Sequence, residues 1–137
     1  MTVWRRLDHV GLVVADTEAA LGYYVGTLGM RVVEQEELEV PPVRLTHLDA
    51  GEVTLQLVQP LPGNSALEGH LAQHGEGLHH VCFEVDDLFE GIRLLSGGQE
   101  PELVIEGRLR RSAFVPGPSW HGLRLELTQD REAPHER

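Results

Sequence analysis

The chain has no lysine; all eleven of its basic residues are arginine. Without a side-chain amine, Schiff-base chemistry and a phosphate-loop lysine are both excluded. A bias in genomic composition explains that absence better than functional pressure does. Cysteine is scarce too: Cys82 stands alone and cannot form an internal disulfide. No apolar run is long enough to cross a bilayer, and no basic segment followed by an apolar core marks a leader. Positive charge is short overall, with a net charge of −11, which repels a phosphate backbone or an anionic lipid surface. These absences predict a cytoplasmic protein with no nucleic-acid partner and no membrane partner. At 137 residues and 41% apolar content, the chain can bury one core without disulfides.

What is present is a repeat. Leu78-His79-His80-Val81-Cys82-Phe83-Glu84-Val85-Asp86-Asp87 aligns without a gap on Leu7-Asp8-His9-Val10-Gly11-Leu12-Val13-Val14-Ala15-Asp16. The two stretches share the leading Leu, one His, both Val positions and the final Asp, at a spacing of 71 residues. That spacing is too long for a solenoid and fits a duplicated half-domain.

Taken in order, 7–14 reads as a buried strand. Asp16 and Glu18 then open a helix that ends before Gly29. Strands follow over 30–39, 43–49 and 52–59, with Pro41-Pro42 breaking the ladder after the first. Ala50-Gly51 is the two-residue turn of a hairpin. After a linker, Ser65-Ala66-Leu67-Glu68 is a capping box opening a short helix that Gly75 closes. The second half repeats the pattern: a strand over 78–85, a helix opened by Asp87 and Glu90 and stopped at Gly97-Gly98, weaker strands over 102–106 and 109–115, a turn at Pro116-Gly117-Pro118, and a last strand over 122–128. The predicted fold class is α+β, two βαβββ modules. Module one covers about 5–59, the linker and short helix 60–76, and module two about 77–129. Residues 130–137 read as a solvated tail.

Strand alternation sorts the side chains into faces. Val10, Leu12 and Val14 pack under the first helix, as His79, Val81, Phe83 and Val85 do under the equivalent one. His9 and His80 take the opposite face. In the last strand of each module, Leu55 and Leu57 leave Gln56 on that face, and Leu125 and Leu127 leave Glu126 there. Each module thus offers one imidazole and one oxygen donor. Two imidazoles and two oxygens suit a six-coordinate divalent ion with two positions open, which favours Mn, Co, Ni or Mg over a closed tetrahedral zinc site. Such a site acts as a Lewis acid on a bidentate substrate.

These residues resemble the vicinal oxygen chelate superfamily, which includes the glyoxalases, bleomycin-resistance proteins and 2-His-1-carboxylate dioxygenases, and within it methylmalonyl-CoA epimerase most. The likeness lies in Asp8-His9-Val10-Gly11, in Pro60-Leu61 through Ser65, and in Gly75-Glu76-Gly77-Leu78-His79-His80-Val81 with Phe83-Glu84-Val85-Asp86-Asp87. It covers about 7–128 and implies a single glyoxalase-like domain over 1–129, with a curved sheet around one metal. The family's ligands fall on His9, Gln56, His80 and Glu126, the set that alternation selects. The resemblance implies an isomerase that removes the proton next to a thioester carbonyl and returns it on the other face. An acyl-CoA substrate and a homodimer come with it. A glyoxalase I-like lyase needs the same four ligands, whereas a non-enzymatic bleomycin-resistance-like protein does not need them.

The chain also departs from the family pattern. The glutamate that serves as general base there falls here on Val40, with Glu39 beside it, and Glu39 is the expected base. The loop before the penultimate strand is Glu106-Gly107-Arg108-Leu109, and Pro118 replaces a lysine. Arg108, Arg110 and Arg111 are open to two readings, contacts to the phosphates of a CoA-like substrate or a solvated strand edge. His70 and His74, at i and i+4, lack a third ligand and read as a solvated helix face. His79 reads as structural and Cys82 as small filler.

Overall fold

The computed structural model describes residues 2–117 and 121–131. The chain divides into two compact units, one of His9–His79 and the other of Met1–Asp8 with His80–Arg137. Each is a βαβββ module.

In the first unit, β1 (Trp4–Val13, of which His9–Val13 belong here) leads to α1 (Thr17–Leu21). Asp16 caps this helix by accepting from the Glu18 amide at 3.2 Å, as an N-cap aspartate does. The expected single helix is instead five α-helical residues followed by a π-helical segment, Gly22–Thr27. Its hydrogen bonds reach five residues back, from the Leu28 amide to the Tyr23 carbonyl at 2.9 Å. Two glycines within the segment lower the cost of leaving α geometry.

Three strands follow, β2 (Arg31–Glu39), β3 (Pro42–Asp49) and β4 (Thr54–Pro60). They form an antiparallel meander, and β4 then lies parallel to β1, so the order is β2-β3-β4-β1. Pro41-Pro42 separates β2 from β3, as expected. The pair sits at the β2–β3 corner with a cis Val40–Pro41 peptide, and Pro42 is the first residue of β3, a place a strand tolerates proline. The β3–β4 hairpin loop is longer than the two residues expected. It spans 50–53, closed by the Ala50 amide on the Val53 carbonyl (3.1 Å) and by Asp49 accepting from the Gly51 amide (2.8 Å).

The helix α2 (Ser65–His74) starts one residue earlier than a capping box at Ser65 implies. Its cap is Asn64, whose oxygen accepts from the Leu67 amide at 3.2 Å while its amide donates to the Pro42 carbonyl at 3.0 Å. A serine hydroxyl has one proton and no second arm, whereas buried Asn64 ties the helix start to β3. Apolar side chains cover both faces of this sheet. Val14, Leu48 and Leu57 pack with Ala20, Leu21 and Tyr24, and on the other face Val13, Val43 and Val58 pack with Leu67 and Leu71 of α2.

In the second unit, β5 (Gly77–Val85, of which His80–Val85 belong here) is followed by α3 (Leu88–Ser96), β6 (Ile105–Glu106), β7 (Arg110–Phe114) and β8 (Leu125–Asp130). The order β5-β8-β7-β6 repeats that of the first unit, again with a parallel pair between first and last strands. Asp87 caps α3 through the Glu90 amide at 3.2 Å, and Gly97, in a left-handed conformation, ends it, as the sequence predicts. Leu88 and Ile92, at i and i+4, pack on Val85, Ala113 and Leu127. Full burial of Leu88, Ile92 and Leu127 contributes roughly 1.5–3 kcal/mol each. Helix and sheet approach closely at Gly91, where a Cβ would lie 2.9 Å from Leu127 Cδ1.

The weak strands are shorter than expected and the last one is shifted toward the C-terminus. The tail expected from Asp130 onward is ordered at its start. Asp130 ends β8, and Arg131 donates its amide to the Leu109 carbonyl (2.9 Å) and its guanidinium to Gly107 (2.7 Å). Residues 132–137 and Pro118 lie outside the described residues. Among the described residues, no helix is long and apolar enough to cross a membrane.

Candidate active site

In the second unit, β5 and β8 run side by side with Cys82 opposite Glu126. His80, two residues earlier, projects to the same face as Cys82, and its Nε2 lies 3.1 Å from Glu126 Oε1. Both side chains are almost fully buried, at 4% and 8% exposure. A buried imidazole and carboxylate aimed at one another are donors of the kind that bind a divalent cation. Phe114, the β7 partner of Glu126, sets its ring edge-on to His80 with centroids 5.1 Å apart.

The first unit repeats this register. Gly11 of β1 lies opposite Gln56 of β4, and His9 stands two residues before Gly11 as His80 does before Cys82. His9 and Gln56 are buried. Here, however, the β3 partner of the oxygen donor is polar. His47 pairs with Gln56 and Glu34 pairs with His47, so the three form one row across β2, β3 and β4. Gln56 Nε2 is 3.0 Å from His47 Nε2, and His47 Nδ1 is 3.5 Å from Glu34 Oε1. His9 also faces His47, with ring centroids 6.2 Å apart. Sequence reasoning named His9 and Gln56 and did not name His47 or Glu34.

Glu39 is exposed and pairs with Pro42 at the end of β2. The register irregularity in this strand lies between Val32 and Glu34, not beside the prolines. By alternation, Glu34, Glu36 and Leu38 take the face of His47 and Gln56, and Glu39 takes the other.

Cys82 is fully buried. Burial pushes its thiol well above its usual pKa of 9.0, and the negative charges of Glu126 and Asp8 add to the effect. It is a protonated filler and a poor nucleophile at neutral pH. Arg110 donates to Asp8 Oδ1 at 3.0 Å, and Arg111 lies 3.7 Å from Glu106. These two arginines are engaged by carboxylates. Arg108 stands on the tight turn that the Gly107 amide closes onto the Arg110 carbonyl. His79 packs against α2 through His70, with ring centroids 4.8 Å apart, and His70 lies equally close to His74. The His70 ring packs against each of the other two. Among the described residues they do not converge as a ligand group.

A profile of the glyoxalase/bleomycin resistance protein/dioxygenase superfamily matches residues 8–100. The mitochondrial methylmalonyl-CoA epimerase of Mus musculus is 36% identical over 134 residues, covering 93% of this chain and 75% of that protein. The ethylmalonyl-CoA/methylmalonyl-CoA epimerase of Cereibacter sphaeroides is 30% identical, covering 90% of this chain and 97% of that protein. Among solved structures, the methylmalonyl-CoA epimerase of Mycobacterium tuberculosis superposes with a TM-score of 0.83 at 28% identity, covering 98% of this chain and 92% of that one.

Proposed function

The chain belongs to the glyoxalase/bleomycin resistance protein/dioxygenase superfamily, and on that footing we propose that it is an isomerase of the methylmalonyl-CoA epimerase type, which moves a proton next to a thioester carbonyl. The observation that carries the reading is the buried His80–Glu126 pair at 3.1 Å, repeated in register by His9 and Gln56. In this reading, residues 1–129 are one domain, and His9, Gln56, His80 and Glu126 hold one divalent ion. Three neutral donors and one carboxylate favour Co, Mn, Ni or Mg. When bound, the ion supplies a Lewis acid for the thioester and carboxylate oxygens of an acyl-CoA substrate, which acidifies the C2 proton between them.

The chain's own residues do the rest. Glu126 carries the negative charge of the donor set, and the buried His80 imidazole lies beside it as the second donor of that module. Cys82 and Phe114 keep water from the buried face of the pair. A carboxylate of β2 takes the C2 proton as general base, Glu39 by the family resemblance or Glu36 by its place on the face of Gln56, and delivery of a proton to the opposite face of the planar intermediate inverts the centre. Two structures of the Streptomyces coelicolor epimerase, in complex with 2-nitronate-propionyl-CoA, match with a TM-score of 0.81 at 29% identity, one covering 93% of this chain and 99% of that one and the other 96% and 99%. That likeness supports an acyl-CoA substrate. A cytoplasmic homodimer completes the proposal.

The test is exchange of the C2 proton of methylmalonyl-CoA in deuterated water, run beside turnover of the methylglyoxal–glutathione adduct. Exchange of the thioester without turnover of the adduct is expected. The reverse pattern assigns a glyoxalase I-type lyase, and neither reaction in metal-loaded protein refutes both.

A further inference from the structure

An amide is an ambiguous ligand. Its oxygen binds a cation and its NH2 does not, and rotation by half a turn about the terminal bond exchanges them at almost no cost in shape. A carboxylate has two equivalent oxygens and no such ambiguity. The two modules differ in this respect. Glu126 has the apolar ring of Phe114 as its β7 partner, whereas Gln56 has the imidazole of His47 as its β3 partner.

We infer that His47 is a positioning residue which, held by Glu34, fixes the Gln56 side chain with its NH2 on His47 and its Oε1 turned away as the donor. The inference rests on the reading of Gln56 as a metal ligand. The steps follow from donor and acceptor matching. Glu34 is a carboxylate and accepts only, so the His47 nitrogen facing it, Nδ1 at 3.5 Å, carries the proton. In the neutral ring Nε2 is then a lone pair and accepts only. The group that meets it at 3.0 Å is therefore the Gln56 NH2. The opposite orientation places the Gln56 oxygen against the His47 Nε2 lone pair, or the Nδ1 lone pair against the Glu34 carboxylate, and either contact repels. Each of the three residues comes from a different strand, and the register fixes all three in one row. Gly11, which ends the row beside Gln56 on β1, adds no side chain to compete for the amide.

The test has one arm without metal and one with. In metal-free protein, the nitrogen–proton correlation spectrum of the His47 ring is expected to show a protonated Nδ1 and an unprotonated Nε2. The Nε2-protonated tautomer overturns the inference. Titration with Co(II) alone then compares four variants by affinity and by the visible absorption of the bound ion. His47→Leu is expected to weaken binding by about 10- to 100-fold, the range for groups that orient a ligand. His47→Gln, whose carbonyl accepts from Gln56 while its own NH2 donates to Glu34, is expected to recover most of that loss and the wild-type absorption. Adding His47→Leu to Gln56→Ala is expected to cost nothing further, because residues acting through one another are not additive. Unchanged affinity in His47→Leu alongside weakened Gln56→Ala overturns the inference alone. Unchanged affinity in Gln56→Ala removes Gln56 from the ligand set and overturns the ligand reading as well.

Discussion

Gln59 and Gln129 do the same work in the two modules. Each lies three residues beyond the oxygen donor of its last strand, and each turns its Oε1 to the first amide of the helix that follows the first strand. Gln59 accepts from the Thr17 amide at 2.8 Å and from its hydroxyl at 2.7 Å, and Gln129 accepts from the Leu88 amide at 2.9 Å. A helix start has amides with no partner in the helix, and here the donor-bearing strand supplies one. The strand that carries Gln56 or Glu126 is thereby tied to the helix beneath it.

Gln129→Leu keeps the volume and leaves the buried Leu88 amide without its acceptor. It is expected to cost about 1–3 kcal/mol, seen as a fall in melting temperature of roughly 3–10 °C for a chain of this size. Gln129→Glu keeps the acceptor and sets a negative charge at a helix N-terminus, so its loss is expected to be smaller. Equal melting temperatures for the two variants count against the tie.

The adjacent histidines should separate cleanly. His80→Ala and Glu126→Ala are expected to lose the ion, and Gln56→Ala, which removes a neutral donor, to lose less. His79→Ala is expected to keep the ion and to lower the melting temperature, because it empties a place packed against His70 on α2. Elemental analysis beside thermal unfolding reads both effects, and metal content unchanged in both His80→Ala and Glu126→Ala removes the assignment.

Glu39→Gln keeps the size and cannot accept a proton. As the general base, it is expected to lose roughly a hundredfold or more in kcat with metal content unchanged. Glu36→Gln is the comparison, since Glu36 lies on the face of β2 that Glu39 does not share. A normal rate in Glu39→Gln and a large loss in Glu36→Gln moves the proton transfer to Glu36.

Cys82 makes stability depend on pH in a defined direction. Its thiol is held protonated in the fold, above its usual pKa of 9.0, by burial and then by the charges of Glu126 and Asp8. The unfolded chain gives up that proton first as pH rises. The contribution is therefore complete below about pH 8.5 and is lost progressively at higher pH. Urea midpoints measured at pH 8 and pH 10 are expected to fall more steeply in the wild type than in Cys82→Ala, and parallel falls count against it.

The duplicated strands, the aspartate caps of α1 and α3 and the stop at Gly97 were legible because each is local: the signal lies within a few residues of the element it specifies. The faces of His9, Gln56, His80 and Glu126 were legible because alternation does not depend on register. The neighbours were not. A two-residue turn at Ala50-Gly51 sets His47 opposite Thr54 and Leu45 opposite Gln56. The four-residue loop moves the pairing by two positions, so His47 meets Gln56. A shift of two keeps every side chain on its face and changes every partner, which is why the row through Glu34, His47 and Gln56 was invisible. Asp49 followed by Gly51 was the available signal, since an aspartate that accepts from the amide two residues on marks a longer loop. The cap of α2 was lost to a neighbouring motif, because Ser65 has the capping-box spacing while Asn64 has the second hydrogen-bonding arm that the packed helix uses.

The π-helical segment Gly22–Thr27 has a consequence for insertions and deletions. A turn whose hydrogen bonds skip one residue more than an α-turn holds one residue more between fixed ends. Those ends are held, by the Asp16 cap on one side and by Gly29, with a φ of 81°, on the other. Length can therefore change by one residue here without moving β1 or β2, whereas in α3 the same deletion rotates Leu88 away from Ile92 and pulls the helix off Gly97. Among related chains, single-residue length differences should collect between Gly22 and Thr27, and the two modules, equal in strand order, should be free to drift apart in their helices.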